Sequence, residues 1–507
     1  MNKDGLLAKT ITSAIGSVLT RLIGMALTVY ISNQIGAEGV GLYQLAMTIY
    51  MMAYMVASAG IITSISKLLA EELSRGYIFR ARRIMNIFFI MGFTASITIT
   101  GLVYGYADFL SELIIKDTRI VAGLKVLSLS IPFMTLSACF KGYFYALKDI
   151  MKPASAEVFE QVVKFTLMVG LLAKYGNSEL SIACTAMSLS ITLGEIISFG
   201  YLFVLYFTNR QKGGNKREED EGSLIPKITS VLMPITASSY LTAVFVLLEN
   251  TLIPMGLQKY GMSSSESVSL YGMVKGMVLP LVLFPTALLS ACSTVMTPEI
   301  ARATTLKYKG RVESLSSRII HMTLLVAFFV MCILVVYGQH LAVAVYGDVE
   351  VGRLLQITVL MSPFVYLEIV IDGILKGMGE QKKTLEYRII DAILRILMMY
   401  FLIPDVGILG LIATIIITNV ISAILHLNRL MKLTGITIDI TRWIVEPLVV
   451  SMAGALLTKT FIMDIFLTSF NLNVQLSLSM IAATIFYIIV MSMLDDNVRN
   501  IGYAQKN

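Results

Sequence analysis

The chain has 507 residues, of which 56% are hydrophobic and only 14% are charged. Soluble globular proteins carry about 25% charged residues, so this composition indicates a protein made of membrane-spanning helices and leaves no room for a sizeable aqueous domain. The net charge of +7 comes from short basic clusters between apolar runs rather than from one basic face, which argues against nucleic acid as a partner.

Apolar runs bounded by charged or turn residues divide the chain into segments of the length that crosses a bilayer, which is about 20 residues. They lie near residues 11–34, 40–65, 84–106, 121–147, 155–174, 179–207, 228–255, 268–300, 316–339, 351–377, 384–403, 407–430, 441–463 and 475–494. This pattern predicts an all-α polytopic membrane protein with about 14 transmembrane helices. No small-residue cleavage site follows the first run, so we expect a membrane helix there rather than a removable signal peptide.

Lysine and arginine residues concentrate in alternate loops. With these boundaries, about 29 basic residues lie on the side of the two termini and seven lie on the opposite side. Positive residues accumulate in short cytoplasmic loops, so the sequence predicts a multi-pass protein of the cell membrane with both termini in the cytoplasm.

The chain contains signs of an internal repeat. The tripeptide FKG at 140–142, at the end of the fourth predicted helix, recurs as LKG at 375–377, at the end of the tenth. The repeat predicts two pseudo-symmetric six-helix bundles at 1–207 and 228–430, a cytoplasmic linker at 208–227, and an appended helix pair with a cytoplasmic tail at 431–507. Transporters are built in this way, with the substrate path between the bundles.

Charged residues inside the predicted helices are costly in lipid and mark the candidate substrate-binding cavity. They are the basic residues Arg21, Lys164, Lys275 and Arg395 and the acidic residues Glu160, Glu195, Glu368, Asp372 and Asp391. Lys164 and Arg395 each follow an acid by four residues, and such a pair can neutralise itself within one helix.

Arg21 and Lys275 have no acid within four residues on their own helices. Each must therefore face a carboxylate of another helix, a water-filled cavity or an anionic ligand. A cationic cavity suits a pyrophosphate group, because arginine and lysine pair with phosphate oxygens. Glu249 lies near the outer end of its predicted helix, and we interpret it as an interfacial residue.

Five short segments resemble the polysaccharide transporter branch of the multidrug/oligosaccharidyl-lipid/polysaccharide exporter superfamily. They are TRLIG at 20–24, GAEGVGLYQ at 36–44, ISKLLAE at 65–71, KGYF at 141–144 and EQVVK at 160–164. The resemblance implies a lipid-linked oligosaccharide flippase that moves an undecaprenyl-pyrophosphate-linked saccharide, a peptidoglycan precursor for the spore cortex, from the inner to the outer leaflet by alternating access. The partners it implies are that substrate, the membrane lipids and enzymes of cell-wall synthesis.

One segment departs from the family pattern. Lipid II flippases of the same superfamily carry an arginine at the position of Arg21 and a second one helical turn later, where this chain has GMAL at 24–27. The second cation is missing, which leaves room for a lipid-linked oligosaccharide other than lipid II.

Two other functions fit parts of the pattern. A membrane glycosyltransferase or acyltransferase would need catalytic carboxylates or a histidine in a sizeable loop, and the predicted outside loops are short. The four cysteines and three histidines are scattered, so we expect no catalytic residue, no metal and no cofactor. A cation-coupled multidrug exporter of the same fold is the alternative, although it would favour an acidic, apolar cavity over one that contains Arg21 and Lys275.

Overall fold

The computed structural model describes residues 3–115, 117–176, 178–209, 223–466 and 470–504. These residues form helices joined by short turns, and no strand occurs among them, so the predicted all-α class is confirmed. The α-helices are α1 (Lys3–Ser58), α2 (Ile61–Ser74), α3 (Ile78–Gly105), α4 (Ala107–Leu110), α5 (Val121–Ser128), α6 (Ile131–Ala146), α7 (Met151–Tyr175), α8 (Leu180–Asn209), α9 (Leu224–Lys259), α10 (Ser264–Gly272), α11 (Leu279–Leu283), α12 (Thr286–Thr305), α13 (Lys309–Tyr346), α14 (Val349–Thr358), α15 (Ser362–Gly377), α16 (Gln381–Val406), α17 (Ile408–Thr434), α18 (Glu446–Leu457) and α19 (Leu472–Ala504). Single π-helical segments lie at Ser111–Ile115, Met273–Val278, Thr441–Val445 and Thr458–Phe466.

Within the described residues, ten helical stretches are long and apolar enough to cross a membrane, or eleven if α6 and the bent segment before it form one span. One of the ten, Ile15–Ser74, has 60 residues, about three times what a single span needs. α7 and α16 are long enough but carry the charged pairs, so their composition alone does not mark them as spans. The multi-pass membrane fold is confirmed, and the count of fourteen stays a prediction.

Gly36 divides α1 into two helical parts. Its φ of 69° and ψ of −178° are non-helical, and residues with a Cβ rarely adopt this combination. The break falls between the predicted runs 11–34 and 40–65, so α1 contains the first run and most of the second. The glycine between the two apolar runs therefore indicates where the first helical part ends and the second begins.

The predicted run 268–300 consists of several helical pieces, and prolines lie at two of the boundaries. α10, the π-helical segment Met273–Val278, α11 and α12 follow one another, with Pro280 at the second position of α11 and Pro285 just before α12. Proline lacks the backbone N–H that a helix interior uses, which accounts for a new helical piece beginning at Pro280 and at Pro285. Lys275 lies in the π-helical segment, a type of local distortion that is frequent at functional sites.

The chain forms two compact units. The first contains Met1–Gly276 with Met399–Gly407, and the second contains Met277–Met398 with Ile408–Asn507. In the first unit, α1 packs on α7, α9 and α10, α7 packs on α8, and α2 packs on α3 and α6. Its core includes the buried side chains Ile65, Leu68, Phe88, Phe140 and Phe144.

The second unit is built around α13. This helix packs on α14, α15 and α18, while α12 and α17 pack on α15 and α19 packs on α18. Tyr337 of α13 and Ala455 of α18 belong to one buried apolar cluster, which ties the predicted appended helix pair to this unit. The domain limits inferred from the repeat stay a prediction, and most of the predicted linker, residues 210–222, lies outside the described residues.

Candidate functional site

Lys164 is held by two carboxylates that belong to two helices. Its Nζ donates to Glu160 Oε1 on α7 at 2.7 Å and to Glu195 Oε1 on α8 at 2.6 Å. Ser198, also on α8, donates to Glu160 Oε2 at 3.0 Å. The Lys164 and Glu160 side chains are 12% and 13% exposed, and that of Glu195 is 3% exposed. The pair predicted within α7 is therefore part of an interhelical group, the Lys164 cluster, which consists of Glu160, Lys164, Glu195 and Ser198.

Gly194 makes room for the aliphatic stem of Lys164. A Cβ on Gly194 would overlap Lys164 Cγ and would lie 3.2 Å from its Cε. Residues 160 and 164 are four apart and residues 195 and 198 are three apart, so the members on each helix share one face. With all three groups ionised, the cluster carries one net negative charge in apolar surroundings. Such a charge is costly unless hydrogen bonds or a further positive charge compensate for it.

Lys275 faces a carboxylate of another helix, which is one of the three alternatives that its sequence left open. Its Nζ donates to Glu249 Oε1 of α9 at 2.6 Å, and the two side chains are 18% and 19% exposed. Sequence reasoning set Glu249 aside as interfacial, and this interpretation missed its partner. The lack of an acid near Lys275 on its own helix was the sequence signal that its partner, Glu249, lies on another helix.

Arg21 lies on α1 with its side chain exposed. Gly24, one turn later, also borders open space, because a Cβ placed there would meet no atom within 4 Å. Gly24 is the first of the four positions, 24–27, where the chain lacks the second arginine of the two-arginine pattern. A Cβ at position 24 would therefore not disturb the packing of the first unit.

In the second unit, Arg395 pairs with Asp391 within α16. Arg395 Nη2 donates to Asp391 Oδ2 at 2.9 Å, and both side chains are mostly buried. This is the i, i+4 pair that the sequence predicts. Glu368 of α15 is half-buried, and its carboxyl lies within electrostatic range of Arg395 and of His426 on α17. His426 is completely buried, and nothing in the sequence singled it out because the three histidines lie far apart along the chain.

Asp372 joins two cations at the end of α15. Its Oδ2 accepts from Lys376 Nζ at 2.6 Å and from Arg388 Nη2 at 3.1 Å. Lys376 is on the same helix, one turn later, and Arg388 is on α16, so the interaction fastens these two helices together. The three side chains carry one net positive charge.

A pocket of about 360 Å³ lies beside Asp372, between α12 and α15; we call it the α12–α15 pocket. It is lined by Ser290, Ser293, Thr297, Pro298, Ile369, Asp372, Gly373 and Lys376. Sequence reasoning found Asp372 by its charge. It missed the hydroxyl residues, because serine and threonine are common in membrane helices and carry no signal of their own.

Two families of proteins match the sequence. The profile of the polysaccharide biosynthesis protein family matches residues 6–304, and that of the MatE family matches residues 260–401. Stage V sporulation protein B of Bacillus subtilis (strain 168) is 24% identical over 463 residues, which cover 90% of this chain and 89% of that protein. The lipid II flippase MurJ of the same organism is 25% identical over 224 residues, which cover 41% of this chain and 40% of that protein.

The fold also has a solved counterpart. A structure of the lipid II flippase MurJ in an inward closed conformation superposes with a TM-score of 0.70. The match covers 96% of this chain and 99% of the MurJ chain, at 14% sequence identity. At this identity the likeness concerns the fold alone.

Proposed function

Since the chain belongs to the polysaccharide biosynthesis protein family, within the multidrug/oligosaccharidyl-lipid/polysaccharide exporter superfamily, we propose that it is a flippase for an undecaprenyl-pyrophosphate-linked saccharide. It moves this lipid from the inner to the outer leaflet by alternating access. The resemblance recognised in the five short segments is thus confirmed at the level of the family. Its relatives are transporters and flippases, and we assign no catalytic residue.

The exposed guanidinium of Arg21 is the observation that carries this proposal. Arg21 is ten residues beyond the start of the first predicted run, which corresponds to about 15 Å along a helix. An arginine at that depth costs about 2.5–3.5 kcal/mol or more if it faces lipid. We infer that it faces a polar passage instead, where it meets the pyrophosphate of the substrate.

The substrate class follows from charge and from the relatives. A pyrophosphate group carries about two negative charges, which arginine and lysine bind through charge-assisted hydrogen bonds. Stage V sporulation protein B and lipid II flippase MurJ are named for sporulation and for a peptidoglycan precursor, so we propose a peptidoglycan precursor of the spore cortex as the saccharide lipid. The missing second cation at positions 24–27 leaves room for a lipid-linked saccharide other than lipid II.

One observation favours a second candidate, a cation-coupled multidrug exporter. The Lys164 cluster carries a surplus carboxylate, and a MatE profile matches residues 260–401. An acidic group in a membrane helix can bind a cationic drug or a coupling ion. The surplus negative charge, however, lies beside a lysine that already bridges both carboxylates, so we rank this function second.

Reconstitution in liposomes separates the two functions. The purified chain is incorporated with a fluorescent undecaprenyl-pyrophosphate-linked disaccharide, and movement between leaflets is followed by quenching from outside. A flippase equilibrates the probe faster than protein-free liposomes do. Accumulation of ethidium under an imposed ion gradient, without lipid movement, would instead establish the exporter.

Both termini lie in the cytoplasm in this proposal, as the basic residues predict. Single cysteines at 212–220 and at 262–266 test it in intact cells with an impermeant maleimide. The second set should react from outside and the first should not. Labelling of both sets from one side would contradict the helix count as well as the orientation.

A further inference from the structure

A pocket of about 300 Å³ lies between α13, α19 and the start of α18; we call it the α13–α19 pocket. Its lining includes His321 and Leu325 of α13, Arg442 and Glu446 around the start of α18, and Tyr487 and Ser492 of α19. The volume is at the lower end of the range of about 300–1,000 Å³ that small-molecule sites occupy. All three helices belong to the second unit, so the pocket lies within one compact body.

Side-chain contacts hold the walls of this pocket in place. The hydroxyl of Tyr487 donates to the carbonyl oxygen of Leu325 at 3.0 Å, which joins α19 to α13. The ring of His321 stacks on that of Trp443, the residue after Arg442, with ring centres 5.5 Å apart and planes at 16° to each other. These contacts join all three helices, so the shape of the pocket is set by helix packing.

The pocket lies where two candidate membrane spans end. Thr441–Phe466 and Leu472–Leu494 have the length and composition of spans. Arg442 is the second residue of the first span, and Ser492 is two residues before the end of the second. Trp443 is the only tryptophan of the chain, and tryptophan is enriched at the level of the lipid headgroups. In a bilayer, phospholipid headgroups are therefore the nearest ligands for this pocket.

Arg442 offers two amino groups to such a ligand. Its side chain is 52% exposed, and its Nε lies 3.5 Å from Asp439 Oδ2. No hydrogen bond within the described residues uses its Nη1 or Nη2. A guanidinium with both of these groups available pairs well with the oxygens of a phosphate.

Glu446 and Ser492 offer acceptors in the same pocket. Glu446 is partly exposed, and its carboxylate has no ion pair or hydrogen bond with any residue that the structure describes, although Arg442 is only four residues away. Ser492 Oγ donates to the carbonyl oxygen of Ile489 at 2.8 Å and so keeps its lone pairs. A ligand here meets a donor for a phosphate beside acceptors for an ammonium group.

The rest of the lining selects among ligands that carry a phosphate. Ile488, Met491 and Leu494 of α19 are apolar, and inorganic phosphate or a free amino alcohol would leave them uncovered. Phosphatidylglycerol supplies a phosphate and acyl chains but no cation for Glu446. The quaternary ammonium of phosphatidylcholine is a cation without an N–H donor. Phosphatidylethanolamine supplies the phosphate, an ammonium with three donors and the acyl chains.

We infer that the α13–α19 pocket binds phosphatidylethanolamine, with its phosphate on Arg442 and its ammonium on Glu446 and Ser492. The acyl chains lie along the apolar residues of α19. This ligand is a resident lipid of the bilayer and not the lipid that is transported, so the inference goes beyond the proposed function. An undecaprenyl-pyrophosphate-linked saccharide has no amine beside its phosphates to meet Glu446.

The fluorescence of Trp443 reports on the pocket, because the chain has no other tryptophan. The full-length chain in nonionic detergent micelles is titrated with phosphatidylethanolamine, phosphatidylcholine or phosphatidylglycerol whose acyl chains carry bromine, which quenches tryptophan at short range. We expect phosphatidylethanolamine to reach half of its full quenching at about one fifth of the concentration that the other two need, the effect of one hydrogen bond. Unbrominated phosphatidylethanolamine should relieve the quenching. Glycerophosphoethanolamine, which has the headgroup but no acyl chain, should not relieve it at the same concentration.

Two variants separate the two ends of the headgroup. Glu446→Gln should raise the half-quenching concentration of phosphatidylethanolamine about fivefold and leave that of phosphatidylcholine unchanged. Arg442→Gln should raise the value for all three lipids about tenfold, because each loses the charged partner of its phosphate. The matched controls are Glu313→Gln and Arg318→Gln, since both residues are exposed on α13 and do not line the pocket. They should titrate as the parent chain does.

Equal quenching by the three lipids in the parent chain would overturn the inference, whether or not the variants fold. An unchanged preference for phosphatidylethanolamine in Glu446→Gln would do the same. Relief by undecaprenyl pyrophosphate at a lower concentration than unbrominated phosphatidylethanolamine requires would assign the pocket to the transported lipid instead. If glycerophosphoethanolamine relieves the quenching as well as the intact lipid does, the pocket is a site for a soluble zwitterion and the inference is wrong.

Discussion

The ammonium of Lys164 lies 2.6 Å from a carboxylate oxygen of Glu195, which is on a different helix and is almost completely buried. The distance from the ammonium to a carboxylate oxygen of Glu160, on its own helix, is similar, at 2.7 Å. Lys164 is therefore a bridge between α7 and α8 rather than half of an isolated pair. Any change to one member leaves the other two with a different charge balance.

Replacing both charged residues of the pair on α7 with uncharged ones should leave the protein less stable than the parent chain. In the double variant Glu160→Gln with Lys164→Met, the buried Glu195 loses its cation, and breaking a buried ion pair in this way costs about 3–5 kcal/mol. Adding Glu195→Gln removes the stranded charge, so the triple variant should melt well above the double variant. Melting temperatures of the detergent-solubilised variants measure this. A double variant as stable as the parent chain would show that Glu195 does not depend on Lys164.

Gly194 should tolerate no side chain. A Cβ at this position would overlap the Lys164 stem, so Gly194→Ala should lower the melting temperature by displacing the ammonium from Glu195. The matched control is Gly170→Ala on α7, where a Cβ would meet no atom within 4 Å. Alanine is the better helix former by about 1 kcal/mol, so the control should be neutral or slightly stabilising. Equal effects at both positions would argue against the packing described for Lys164.

The sequence predicts what depends on neighbours along the chain. Apolar runs predicted most helices, and the breaks at Gly36 and Gly407 lie between one predicted run and the next or at the start of a run. The i, i+4 spacing of Asp391 and Arg395 also predicted their contact. These features arise from helical periodicity and from local backbone freedom, which are properties of short segments.

Contacts between helices depend on how each helix is rotated about its axis and on how deep each residue lies in the membrane. The residue pattern of one segment defines neither. Glu195 was found as a buried charge, but its partner Lys164 lies 31 residues away on a neighbouring helix. Glu249 was set aside because its helix was taken to end near it, whereas α9 continues to Lys259. The α12–α15 pocket becomes visible only when its two helices are placed side by side.

Exchanging the charges of Lys275 and Glu249 should preserve their bridge. Lys275→Ala leaves Glu249 at 19% exposure and without its 2.6 Å hydrogen bond from Lys275, which should cost about 1.5–3 kcal/mol. The reversed pair, Lys275→Glu with Glu249→Lys, should recover much of that loss. Melting temperature reports the bridge, and the liposome assay reports transport. If the reversed pair regains stability but not lipid movement, the sign of the charge at position 275 matters to the substrate as well as to the fold.

Removing the cation at position 21 should stop transport and leave the fold intact. The Arg21 side chain is exposed, so Arg21→Ala should be expressed and inserted at near-normal levels. Lipid movement should fall to the rate of protein-free liposomes, because the pyrophosphate loses the fixed charge that offsets its passage through a region of low dielectric constant. Arg21→Lys should be partly active, since it keeps the charge but loses the two-pronged guanidinium geometry.

Gly24→Arg tests the same surface by adding a cation instead of removing one. A Cβ at this position would meet no atom within 4 Å, so the new side chain starts in open space, and its charge lies one turn from Arg21. We expect tighter binding of undecaprenyl pyrophosphate in nanodiscs, with a slope of affinity against salt steeper than that of the parent chain because one more cation pairs with the phosphates. Gly24→Gln is the matched control, because it adds a long polar side chain without charge and should leave both affinity and slope unchanged. Parent-level transport by Arg21→Ala, together with no effect of Gly24→Arg on binding, would remove the cationic passage from the mechanism and favour the exporter.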